Sequence, residues 1–229
     1  TFRVKYTFAQ INFDDWMTRG SWARIGIQQL PWVDFEEGIY RYRFQGTVFT
    51  EREGFLSSSD AGVSFHTNFP SNYGDFHVGV YNGENYNRVE ANDQKSFAFR
   101  GTVRPFATGA SVLRGLRAHL VYVGDNYVRN AERMRFIGSA TFEHKYLNAG
   151  FDYLDAKDQT SITIADVEGQ GYSIWATPRL PQGWEALLRY DHLKPNSLFD
   201  SQVRNRTIVG VAYWFKTQGN VSSALLLDY

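Results

Sequence analysis

The chain predicts an all-β fold, a transmembrane antiparallel β-barrel, and three observations carry that expectation. Twelve stretches of about ten residues alternate apolar and polar side chains along the whole sequence. The connections between them alternate short and long. No apolar run approaches the ~18 residues of a membrane-spanning helix. In hydrocarbon every backbone polar group must be paired internally, so a sheet crosses only as a closed cylinder. Each strand then shows lipid one face and the lumen the other, which imposes a period of two.

The 229 residues fit a single barrel domain spanning 1–229. Lys plus Arg and Asp plus Glu both number 24, so bulk charge names no partner. Aromatics reach 17%, as two interfacial girdles require. Cysteine is absent, which leaves no disulfide framework.

In chain order the strands fall at 2–13, 21–30, 60–69, 74–82, 95–105, 115–124, 133–143, 146–155, 171–179, 183–193, 204–216 and 220–229. Many are rich in β-branched and aromatic residues, and Gly, Pro, Asn or Asp cluster at most ends. The short connections are Asp14–Gly20, Pro70–Tyr73, Phe106–Arg114, His144–Lys145, Leu180–Gln182 and Thr217–Gly219. The longer ones are Pro31–Asp60, Gly83–Gln94, Asp125–Glu132, Ala156–Gln170 and Lys194–Gln202. Outer-membrane barrels have short periplasmic turns and long extracellular loops. On that rule both ends of the chain lie on the outer side, so the sequence is expected to be an internal segment with strands missing at both ends.

The apolar register should face lipid. It holds Phe2, Val4, Tyr6 and Phe8; Ala23, Ile25 and Ile27; Val63, Phe65, Thr67 and Phe69; Phe97, Phe99 and Val103; Leu116, Ala118, Leu120 and Tyr122; and Trp184, Ala186, Leu188 and Tyr190. The other register carries Arg3, Lys5, Arg24, Arg100, Arg104, Arg117, His119, Arg135, Arg189, Arg204 and Arg206. It carries few acids: Glu143, Asp152, Glu185 and Asp191. The remaining acids concentrate in loops, which predicts a basic interior and an acidic outer rim. Fixed positive charge along a low-dielectric channel concentrates anions. Arg24, Arg100, Arg104, Arg117, His119, Arg135, Arg189, Arg204 and Arg206 are therefore the pore-lining candidates. The alternative is that these arginines form half of an interior salt-bridge network.

The segment 31–60 is long for a loop without structure of its own. Its aromatic and charged text suits folding into the pore, where Arg41, Arg43 and Arg52, opposed by Glu51 and Glu53, would form a constriction. The alternative is packing over the rim or at a subunit contact. The five histidines lack metal-ligand spacing, no phosphate-cradling glycine motif occurs, and no nucleophile sits beside a base. No catalytic residue, metal, cofactor or nucleic-acid partner is expected.

Several stretches resemble the phosphate-selective porin O and P family: SWARIGIQQLPWVDFEE, YRFQGTVFTEREGFLSSSDAGVSF, GVYNGENYNRVEANDQKSFAFRGTVRPF, and GWEALLRYDHLKPN with RTIVGVAYWF. The resemblance implies a sixteen-stranded homotrimeric anion channel of the bacterial outer membrane, in contact with lipid and lipopolysaccharide, with an inward loop. No motif aligns the family's phosphate-binding residues with positions here. Lysine is also scarce, at Lys5, Lys95, Lys145, Lys157, Lys194 and Lys216. The residues thus support a passive channel for small, phosphate-like anions in general. The rivals are a specific channel for a neutral or organic solute such as a sugar, and a non-conducting barrel acting as adhesin or anchor. A row of aromatics along the lumen would favour the former.

Overall fold

The computed structural model describes residues 3–90, 92–108, 112–215 and 222–229. Phe2, Lys216 and the turn Thr217–Gly219 lie outside them. All twelve expected strands are present, as β1 (Thr7–Asn12), β2 (Trp22–Gln29), β3 (Ser59–Asn68), β4 (Gly74–Tyr81), β5 (Ser96–Val103), β6 (Leu116–Asn126), β7 (Glu132–His144), β8 (Leu147–Asp158), β9 (Val167–Pro178), β10 (Trp184–Lys194), β11 (Arg204–Trp214) and β12 (Ala224–Asp228). They form one antiparallel sheet in sequence order, with β1 and β12 as its two edges. Each strand hydrogen-bonds its sequence neighbour, so the topology is a meander.

The outward register matches the expectation on β2, β3, β5, β6 and β10. Ile25, Val63, Phe97, Leu120 and Leu188 are all exposed. β1 differs. Phe8 pairs with Gly26 and Gln10 with Arg24, so Tyr6 and Phe8 share the face of Arg24, and Ala9 and Ile11 share the face of Ile25. A slip of one residue exchanges the faces of a whole strand. Here the choice is made by contacts outside the strand pattern: the Tyr6 hydroxyl donates to Asp34 Oδ2 at 2.6 Å, and the Arg24 guanidinium lies 4.4 Å over the Phe8 ring. Arg3 and Lys5 precede the strand.

The alternation of connection lengths is also less regular than expected. β6 and β7 continue pairing to Asn126↔Glu132, which leaves only residues 127–131 between them. An Asp125–Arg133 ion pair holds this extension. The connection between β5 and β6, placed among the short ones, spans 104–115.

The segment 31–60 is not an irregular loop. It carries α1 (Val33–Tyr40) and a single-turn α2 (Phe49–Arg52). An eight-residue helix is marginal alone and depends on packing. α1 buries Val33, Glu36, Ile39 and Tyr40 at helical spacing, with Asp34 and Glu36 in the first turn, where they complement the helix dipole. The loop lies on the charged face of the sheet. Trp32, Phe49, Val121, Ile137, Leu154 and Leu193 make one apolar cluster, and Val33, Ile39, Tyr40, Tyr42, Trp175, Leu187 and Ile208 make another. One loop thus reaches Tyr6, just before β1, and Ile208 on β11, so the sheet curls around it.

Candidate functional site: the loop-bearing face

Three wall residues tie the loop down from neighbouring strands. Asn148 Nδ2 donates to Ile39 O at 2.7 Å, Arg189 Nη1 to Thr47 O at 2.7 Å, and Arg135 Nε to Phe55 O at 3.2 Å. These bonds satisfy backbone carbonyls that docking has removed from water. Gly171 of β9 makes room for Phe49, since a Cβ there would stand 2.8 Å from the ring. The Tyr42 hydroxyl donates to Glu185, and burial followed by that bond raises its pKa to about 12.

The nine wall candidates divide by their relation to this loop. Arg100, His119, Arg135 and Arg189 are buried beneath it. Arg100 pairs with Asp75 at 2.6 Å and lies 3.6 Å over the Phe35 ring. His119 bridges Thr102 (3.1 Å) and Thr141 (2.8 Å), with Trp32 and Phe35 packed on its ring. Arg135 holds Asp158 at 2.6 Å. With the loop in this position all four are covered.

Arg24, Arg104, Arg117, Arg204 and Arg206 lie outside the loop's footprint. Arg117 pairs with Glu143. Arg204 and Arg206 share a single carboxylate, Glu53, at 3.6 and 2.5 Å. Arg24 and Arg104 form no ion pair within 4.0 Å among the described residues. On the loop, Arg43 pairs with Glu37 and with Glu51 at 2.9 Å. Arg41 reaches Glu185 only at 4.0 Å, and Arg179 stands 3.8 Å from the same carboxylate. Arg52 is exposed; burial of its stem and the nearby Arg206 lower its pKa. The loop's free side therefore presents Arg41, Arg43 and Arg52.

The loop also changes the expected charge map. Glu36, one of the loop acids, is carried down onto the basic face, and Glu53, expected in the constriction, offsets two arginines there. Glu36 is buried against Asp152, with Arg189 and Asp191 nearby. Burial first, then the neighbouring Asp152, hold the Glu36 carboxyl well above the ordinary glutamate range.

Sequence periodicity missed the apolar floor under the loop. Its signal was present: Leu120-Val121, Phe136-Ile137, Tyr153-Leu154, Leu187-Leu188 and Ile208-Val209 are apolar in both registers. A strand apolar in both registers is one covered on both faces.

Fold and site define an all-β protein whose meander sheet carries a helical loop on its charged face. Among the described residues no group of three His, Cys, Asp or Glu is placed to hold a metal ion. No protein-family model matches the chain, and no curated protein matches it.

Proposed function

We propose that this chain forms the wall of a closed outer-membrane barrel, a trimeric porin through which small, phosphate-like anions diffuse passively without cofactor or chemistry. The observation that carries the reading is the division of the two faces. One face exposes large apolar residues through the middle of β2–β11, including Ile25, Val63, Val80, Phe97, Leu120, Phe151, Ile174, Leu188 and Val209. The other holds the arginines and the inward loop.

Aromatic groups border the apolar band at both ends. Trp184, Tyr213 and Phe215 pack together at one end in tilted and edge-on contacts, with centroids 5.0 and 5.1 Å apart. At the other, Tyr172 stacks on His192 at 5.1 Å and packs tilted against Tyr190 at 6.2 Å. Trp184 to His192 is nine residues, at the lower end of the ~9–11 residues of a tilted membrane-spanning strand. The open cations Arg24, Arg41, Arg52, Arg104, Arg204 and Arg206, incompletely offset by Glu53 and Glu185, would favour anions in the remaining passage.

The test is the zero-current potential of the protein in a planar bilayer under a salt gradient. Anion preference supports the reading. Cation preference, or no conductance, overturns it.

A further inference from the structure

The corrected face of β1 places an aromatic strip where the sequence pattern gave none. Tyr6, Phe8 and Trp22 lie together on the loop-bearing face, and cations are set among them. The Arg24 guanidinium is sandwiched between Trp22 (3.9 Å) and Phe8 (4.4 Å), and Lys5 Nζ stands 5.0 Å over the Tyr6 ring. Trp22 continues the stack onto His66 at 5.2 Å, with His77 edge-on at 5.0 Å.

Arg24 also differs chemically from Arg100, Arg117, Arg135 and Arg189. Its Nε and Nη1 donate to neutral amide oxygens, Gln10 Oε1 at 2.6 Å and Gln29 Oε1 at 3.0 Å. Arg100, Arg117, Arg135 and Arg189 each hold a carboxylate instead. The charge of Arg24 is fixed in orientation, half-buried and without a carboxylate partner among the described residues.

We propose that this strip is a docking site for aromatic carboxylates, entered from the passage and using Arg24 and Lys5 for the carboxylate and Phe8 and Tyr6 for the ring; the proposal rests on the channel reading above. A small inorganic oxyanion gains most where several guanidinium forks converge. Here the cations are spaced out and flanked by rings, which suits an anion with a flat apolar body. Phe8 lies in β1 and Tyr6 immediately precedes that strand, so the two are about 6.6 Å apart at the rise of an extended chain. That is close to the spacing that admits one flat ring at ~3.5 Å from each. Arg24 covers one face of Phe8 from the β2 side. The ligand ring would meet the face toward Tyr6.

The test compares sodium benzoate, sodium acetate and benzyl alcohol as blockers of chloride current through the protein in a planar bilayer. Intrinsic tryptophan fluorescence of the detergent-solubilised protein is titrated with the same probes. The expected result is half-block by benzoate at a concentration at least tenfold below that of acetate, with benzyl alcohol weaker than benzoate. In Phe8→Ala and in Arg24→Gln the benzoate and acetate values should converge to within threefold. Equal potency of benzoate and acetate in the parent protein, or an undiminished benzoate advantage in both variants, overturns the site. A saturable fluorescence response to benzoate that is lost in Trp22→Phe, in a protein without anion-selective conductance, would keep the site and remove the channel reading. Absence of both block and fluorescence response overturns the site.

Discussion

Arg189 and Asp191, two residues apart on β10, close a double hydrogen bond in which Nε and Nη2 each lie 2.8 Å from one carboxylate oxygen. The third guanidinium nitrogen reaches across to Thr47 O of the loop at 2.7 Å, and Ser173 Oγ donates to Asp191 Oδ1 at 2.7 Å. The pair is buried, so its role is to fasten the loop to the wall.

Removing one member of such a pair strands the other in a low-dielectric site. Arg189→Gln is expected to cost about 3–5 kcal/mol. Part of the loss should fall on the loop itself, because Thr47 loses its anchor. Limited trypsin digestion of the folded protein should then cut at Arg41, Arg43 or Arg52 faster than in the parent. Cleavage at an unchanged rate would mean that the apolar contacts alone hold the loop.

Glu36 makes docking depend on pH. Its carboxyl, raised by burial and by Asp152, keeps a proton in the docked loop that it would lose when released. A group raised in the folded state contributes most below its ordinary value of about 4.5, and that contribution is lost as pH rises through and above it. Protection of the loop from proteolysis should therefore weaken progressively as pH rises above the ordinary glutamate value of about 4.5. Glu36→Gln should flatten the profile and leave the loop docked at the upper end. An equally steep profile in that variant would assign the dependence to another group.

Glu53 offsets Arg204 and Arg206 together, so Glu53→Gln releases two cations at once. The expected outcome is a stronger anion preference in the zero-current potential, most visible at low salt, where screening is weakest. The reversal Arg117→Glu should move selectivity the other way. Arg135→Glu should instead disturb the loop, since Arg135 lies beneath Phe55 and holds Asp158. If the two reversals behave alike, the division between open and covered arginines is wrong.

The outward face gives an independent check. Leu188 is exposed at mid-strand among apolar neighbours. If that face meets lipid, Leu188→Arg should cost roughly 2–4 kcal/mol in refolding from denaturant into bilayers. A cost near zero would place that face in water.

The twelve strands, their order and the outward set on five of the six strands for which it was read were legible in the sequence, because a two-residue period between a polar and an apolar face is a local property of the chain. So was the face on which Arg100, Arg117, Arg135 and Arg189 would fall. The register of β1 was not. Its pattern, TFRVKYTF, puts every apolar residue in one register and so pointed Tyr6 and Phe8 to lipid; the opposite choice came from Asp34 and Arg24, which are distant in sequence. The accessibility of the arginines was likewise decided only in the tertiary structure. Asp75, Glu143, Asp158 and Asp191 pair with arginines from the strands themselves. Which arginines are covered, and the pairing of Arg204 and Arg206 with Glu53, depend on where the segment 31–60 comes to rest, and that segment is held by long-range contacts as far as β11. Local periodicity specified the wall. Burial of Trp32, Tyr40, Tyr42 and Phe49 against a floor assembled from separate strands decided what the wall encloses.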